Sequence, residues 1–226
     1  MNILGVETSH QFPQIGLLRG EEQIVQPLSD PTGRQPARKL LPALEAFLAS
    51  AKVRAQDLDL IAIDIGPGSF TGLRIAVTTV KTLAYVTQTP VIAVGSLELS
   101  LRQLPQQAPF PRVAVVDAQR KMVYSLSQDR PDEEIPTSIE AIAMQPATEI
   151  LQRTLHQGIL TGPATELIQR AGEVQQIAEP FCPSVETLIS IAKERFEQTG
   201  QGDDLMRLVP WYIRKSAAEE KAEANG

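Results

Sequence analysis

The chain has 226 residues, a net charge of −6 and 42% hydrophobic residues, enough apolar material for one large or two small folded domains. The acidic balance and only 4% aromatics exclude a chain that grips nucleic acid unaided, since phosphate neutralisation and base stacking are both poorly supplied. A single cysteine, Cys182, excludes an intrachain disulfide and points to a reducing, cytoplasmic setting; no apolar run approaches the roughly 20 residues of a membrane span, and no basic leader opens the chain.

In chain order, Ile3-Leu4-Gly5-Val6 reads as a buried strand that stops at Glu7-Thr8-Ser9. Two more strands are predicted over 14–18 and 23–28, split by hairpin chemistry at Arg19-Gly20-Glu21-Glu22. From residue 36 the period becomes helical: Leu40, Leu41, Leu44, Phe47 and Leu48 share one face of a helix over 36–50, and Ala43, Ala46, Ala49 and Ser50 form a second stripe of small residues. A strand over 59–65 leads into Gly66-Pro67-Gly68-Ser69-Phe70-Thr71-Gly72-Leu73-Arg74, and a helix follows to about residue 88, then a strand over 90–94. This β-β-β-α-β-α-β order can close around one mixed sheet.

Three prolines within residues 104–111 forbid a helix interior or central strand, so the domain boundary is placed there. The first lobe is expected over 1–104, a linker over 105–111, a smaller second lobe over 112–200, a segment packing back on the body over 201–215, and a disordered tail over 216–226. Within the second half, strands are predicted at 112–118 and 122–128 around a Gln119-Arg120-Lys121 turn. Helices follow at 138–143, 147–155, 165–171 and 185–198, with a strand at 159–161.

The segment from Gly66 to Arg74 carries the most information. It lacks Gly-Lys-Ser/Thr and so is not a phosphate-cradling P-loop, and its G-x-G-x-x-x-G spacing is not a dinucleotide fingerprint. Its capping Ser69 or Thr71 and free helix N–H groups would favour an anion, but a tight strand-to-helix crossing requires the same residues. In the helix behind it, Leu73, Ala76, Val77, Val80, Leu83 and Ala84 make one apolar face, while Ile75, Thr79, Thr82 and Val86 make a second. With only Arg74 and Lys81 charged, this helix is expected to be covered on both sides, by its own domain or by a partner. Glu7, Asp64 and Asp117 each end an apolar strand, where a carboxylate can hold a metal, orient a water, or simply cap the strand. His10 and His156 form no zinc spacing, and Cys182 has no base beside it.

Ile3-Leu4-Gly5-Val6-Glu7-Thr8-Ser9 resembles the opening strand of the actin/sugar kinase/Hsp70-like superfamily. Gly66 to Arg74 resembles the signature of its TsaB (YeaZ) branch, and Leu40-Leu41-Pro42, Val94-Gly95-Ser96-Leu97-Glu98 and Val115-Val116-Asp117-Ala118 match in order and spacing. The resemblance implies an α/β, two-lobed actin-like (RNase H-like) fold with a shortened second lobe. It also implies a role in making threonylcarbamoyladenosine beside the tRNA anticodon, as a non-catalytic scaffold that pairs with the catalytic paralogue TsaD and is joined by the ATPase TsaE. tRNA would be met only through that complex, and an isolated chain would tend to homodimerise. The family's partner face falls on the first two helices, here 36–50 and 71–88, with Leu40, Ala43, Ala46, Ala49, Ser50, Ile75, Thr78, Thr79, Thr82 and Val86 as interface residues.

No catalytic or metal residue is expected on this basis, and no tightly bound cofactor; a nucleotide would sit at the TsaD junction. Glu7, Thr8 and Asp117 are the weak candidates for binding one. The paralogue's two metal-binding histidines on the first helix have no counterpart here, Arg34-Gln35-Pro36 stands where relatives often carry a histidine, and Glu7 replaces the superfamily's usual aspartate. The rival reading is an active actin-like ATPase or kinase using Glu7 and Asp117 with Mg²⁺.

Overall fold

The computed structural model describes residues 1–28, 40–154, 158–172, 174, 176–179 and 182–213. Strands β1 (Asn2–Glu7), β2 (Gln14–Arg19) and β3 (Glu22–Pro27) form an antiparallel meander, and β4 (Leu60–Asp64) and β5 (Val91–Val94) extend it in parallel on the far side of β1. The sheet order β3-β2-β1-β4-β5 makes β1 central, as its unbroken apolar run requires.

Alternation along the strands builds two layers. On one face Leu4, Val6, Ile61 and Ile63 meet α1 (Leu40–Ser50) and α2 (Phe70–Thr87) through Leu44, Phe47, Ala76, Val77 and Val80. On the other, Ile3, Leu60, Ala62 and Ile92 meet α6 (Val185–Thr199) through Leu188, Ile189 and Ala192. Gly5 and Gly16 are cross-strand partners beneath α6, and a Cβ on Gly5 would come within 2.6 Å of Val185 Cγ2. That glycine pair lets helix and sheet approach.

Residues 185–199 thus lie within the range expected for the second lobe but cover the first sheet. Helical periodicity defines an apolar face, not the sheet that meets it. The second sheet has order β8-β7-β6-β9, from β6 (Arg112–Asp117), β7 (Met122–Gln128), β8 (Ala143–Pro146) and β9 (Ile159–Thr161). Its Val113, Val115 and Val123 pack under α4 (Ala147–Thr154) and α5 (Thr165–Gln169). The β6–β7 turn holds Gln119, Arg120 and Lys121 at φ of 64, 54 and 61°. The helix predicted at 138–143 is a single 3-10 turn, Ile139–Ala141, running into edge strand β8, which is too short and exposed to show alternation.

Helix α3 (Ser96–Arg102), absent from the sequence prediction, is buried over all but its last residue. Leu99 joins the first lobe's core, while Leu97 and Leu101 join Ala114, Val116 and Leu126 of the second. After α6, the chain covers the open edge of β5: Asp203 N donates to Val91 O at 2.7 Å, and Ala93 N donates to Asp203 Oδ2 at 2.7 Å. Lys81 Nζ then holds the Met206 and Leu208 carbonyls, and Trp211 N donates to Ile65 O at 2.8 Å. Residues 214–226, which include the predicted tail, lie outside the described residues, as do Arg34, Gln35, Pro36 and His156. Two lobes, each a mixed sheet opened by an antiparallel hairpin and continued by a parallel strand, make the actin-like (RNase H-like) fold with a smaller second lobe.

Candidate functional site

Val6 pairs with Ile63 in parallel register, so Glu7 and Asp64 emerge side by side at the strand ends, both wholly buried. Asp64 Oδ1 accepts from Gly66 N at 2.8 Å and from Ser96 Oγ at 2.6 Å. Glu7 Oε1 accepts from Ser9 N and Ser9 Oγ, each at 2.6 Å. Glu7 Oε2 and Asp64 Oδ2 are buried without a directed donor among the described residues. His10 Nε2 lies 2.9 Å from Glu7 Oε2, but its N–H is directed at Pro183 O, 3.0 Å away, while Nδ1 accepts from Phe12 N.

Two adjacent buried carboxyls cannot both carry charge cheaply. Burial first, and the charge of Glu7 second, push Asp64 up to about 7, against the opposing hydrogen bonds from Ser96 and Gly66. Burial alone would lower His10, but the proximity and charge of Glu7, with the Pro183 carbonyl and the Asp64 charge, raise it above its ordinary value.

The Gly66 to Arg74 loop is clasped to the turn after β1. Ser69 N donates to Ser9 O at 2.6 Å, and Ser69 Oγ caps α2 by accepting from Gly72 N at 3.2 Å. A Cβ on Gly68 would sit 2.2 Å from Ser9 O, and one on Gly72 would sit 2.3 Å from Thr8 O. These two glycines are therefore explained by backbone approach, without an anion. Pro67, Leu73 and Gly72 are buried; Thr71 and Arg74 are exposed, with the Arg74 guanidinium 5.3 Å from the centre of the exposed Phe70 ring.

Between the lobes lies a cleft of about 480 Å³, lined by Ser9, His10, Phe70, Asp117, Glu166 and Cys182 among others, with no Lys or Arg among the described residues on its wall. Glu7 and Thr8 do not line it, and Asp117 is exposed with Oδ1 accepting from Gln119 N at 2.6 Å. Glu7 and Asp117 are thus not gathered into one ligand set, contrary to what the ATPase or kinase reading needs. Among the described residues, no three His, Cys, Asp or Glu side chains are grouped to hold a metal. Burial first, then the Glu7 charge, push the Cys182 thiol up to about 11, which keeps it protonated and un-nucleophilic. No described helix is long and apolar enough to cross a membrane.

Helices α1 and α2 pack side by side and turn a common strip outward. Ala46, Ala49, Ser50, Thr78, Thr82 and Val86 are exposed, and Ala43, Ile75 and Thr79 are half-buried. Leu40 is a correction: at 3% exposure it belongs to the main core, in line with Leu44 and Leu48 one and two turns on. Leu41 is a second correction: expected on the apolar face with Leu40 and Leu44, it is 60% exposed, because a position one residue after Leu40 turns about 100° around the helix, away from the core line. Tyr85, which the periodicity did not single out, is also exposed, at 68%.

The family model for TsaD, tRNA N6-adenosine threonylcarbamoyltransferase, matches residues 30–221. The tRNA threonylcarbamoyladenosine biosynthesis protein TsaB of Bacillus subtilis is 28% identical, over 98% of this chain and 97% of its own. The tRNA N6-adenosine threonylcarbamoyltransferase of Erythrobacter litoralis is 30% identical over 65% of this chain and 44% of its own. The solved structure of YeaZ from Pseudomonas aeruginosa superposes with a TM-score of 0.75 at 26% identity, covering 94% of this chain and all of its own. With most of its length matched by the family model and nearly all of it by TsaB and YeaZ, the chain belongs to the TsaD family and, within it, to the TsaB (YeaZ) branch.

Proposed function

We propose that this chain is a non-catalytic, activating subunit for threonylcarbamoyl transfer to the tRNA adenosine beside the anticodon, in tRNAs that read codons starting with A. It acts by pairing with the catalytic paralogue TsaD through the α1–α2 face. The observation that carries this reading is the exposed strip of Ala46, Ala49, Thr78, Thr82, Tyr85 and Val86, with Glu45 and Arg74 exposed at its margins, on a chain similar to TsaB over 98% of its length. Two neighbouring helices can supply the roughly 1,200–2,000 Å² that a stable interface buries, and an open strip of this kind tends to find cover.

The site chemistry supports catalytic silence. In TsaD, as the resemblance describes it, two histidines one turn apart on the first helix hold a metal, and Leu40–Ser50 has no histidine. Glu7 is committed to Ser9 inside the fold, Asp117 lines a cleft that Glu7 does not reach, and among the described residues no Lys or Arg lines that cleft to meet phosphate. TsaE joins the assembly as its ATPase, tRNA is reached through the complex, and any nucleotide sits at the junction with TsaD. Without TsaD the same face serves a homodimer.

The test is co-purification with TsaD. Ala46→Arg and Thr82→Arg, on exposed positions, are expected to abolish it while shifting folding stability by no more than about 0.5 kcal/mol. Retention of TsaD by both variants would count against the assignment. Titration calorimetry of the isolated chain with ATP and Mg²⁺ separates the rival, since an ATPase would bind and turn over.

A further inference from the structure

Among the described residues, the chain runs between the lobes after α3 into β6, and again through Cys182, Pro183 and Ser184 into α6. Gln103 ties these crossings together. Its Nε2 donates to Cys182 O at 3.0 Å, and its Oε1 accepts from Ser184 N at 2.7 Å. The first crossing is also gathered onto one side chain. The buried Arg112 donates through Nη2 to Gln106 O at 2.6 Å and Ala108 O at 2.9 Å, and its guanidinium lies 4.2 Å from the centre of the Phe110 ring. The second crossing is held at Pro183 O by His10 Nε2, from the turn after β1. Between them, α3 is cored into both lobes and is bound to α6 by Glu98 and Arg195, 2.5 Å apart.

Hinge closure needs a few residues at such crossings to absorb large changes of φ and ψ. Here several backbone groups of the described crossing residues are already engaged: carbonyls of the first crossing by Arg112, and both an N–H and a carbonyl of the second by Gln103. We propose that this is a locked hinge, with Gln103 as its staple, so that the interlobe cleft keeps one width and does not close on a nucleotide. The proposal goes beyond the partner assignment and does not depend on it.

The test is a spin-label distance measurement on the full chain in a Cys182→Ser background, which preserves the carbonyl that Gln103 holds. Labels are placed at the exposed positions Glu21→Cys and Asp132→Cys, one on each lobe. The expected result is one narrow distance distribution, unchanged by saturating ATP and Mg²⁺. Gln103→Ala should broaden it and speed exchange of the Ser184 amide about five- to tenfold, the loss of one hydrogen bond's protection. Two populations in the parent, or a shift on adding nucleotide, would overturn the proposal. So would a folded Gln103→Ala variant with unchanged width and Ser184 exchange. If that variant does not fold, Gln103→Glu replaces it, keeping the acceptor for Ser184 but losing the donor to Cys182. TsaD co-purification of the same variants reports separately on the partner assignment.

Discussion

The Asp64 carboxyl is where a single residue has the widest influence. It holds the Gly66 N–H and the Ser96 hydroxyl, so it fixes both the start of the signature loop and the start of α3. Its folded pKa of about 7 lies above the roughly 3.9 of an unfolded aspartate, so between those values the native state binds the extra proton. Stability from this group is complete below about pH 4 and is lost as pH rises through 7. His10, raised above its ordinary value, acts in the same direction, contributing below about pH 6.5 and fading as pH rises past its folded pKa. The protein should therefore melt at a lower temperature at pH 8 than at pH 5. Asp64→Asn retains an acceptor for both donors and should flatten the Asp64 part of that slope, on the order of 2–4 kcal/mol across the window. Parallel thermal melts of parent and variant from pH 5 to 8 measure it; equal slopes would show that the proton sits elsewhere. The carboxylate and its strand end were legible in the sequence. Its contact with Ser96 was not, because a serine 32 residues away leaves no trace in local pattern.

At the scale of elements, legibility followed burial geometry. β1 and β4 are buried on both faces and read as continuous apolar runs; α1 and α2 bury one side and show the helical period. Helix α3 defeats both signatures, since Ser96, Glu98 and Ser100 are as buried as Leu97, Leu99 and Leu101 and no polar face remains to mark a period. Its polar side chains are engaged internally, Ser96 on Asp64, Ser100 on the Ser96 carbonyl and Glu98 through Oε1 on Arg195, with Glu98 Oε2 left without a donor among the described residues. A helix that serves as core for two sheets should be expensive to hollow out. Leu97→Ala, in the second-lobe cluster, should cost about 2–5 kcal/mol in urea denaturation. A loss below about 1 kcal/mol would mean that the second sheet closes over the gap and that α3 does not organise both lobes. The exposure of the proposed partner strip was legible in outline only: its small and β-branched residues are largely exposed as expected, but α2's orientation hides half of Ile75 and Thr79 and turns Tyr85 out instead.

For the whole molecule, the partner proposal rests on the charge of −6, a cleft with no Lys or Arg on its wall among the described residues, and a two-helix strip of mostly small and apolar exposed residues. The Glu7 carboxylate is used for architecture: it accepts from Ser9 N, Ser9 O accepts from Ser69 N, and Ser69 caps α2, which carries half of the proposed strip. Conservative changes at carboxylates should therefore act only through this scaffolding, whereas charge placed on the strip should act directly. In a reconstituted tRNA modification reaction with TsaD, TsaE and the threonylcarbamoyl-adenylate synthase, product should form only when this chain is present. Asp117→Asn, at an exposed residue, and Glu7→Gln, which keeps an acceptor for Ser9, should both stay within about twofold of the parent's rate. Ala46→Arg combined with Thr82→Arg should remove activity, because mixed subunits no longer pair. Loss of modification in Asp117→Asn while the complex still assembles would give that carboxylate a catalytic role, and the chain would then be an enzyme subunit in its own right.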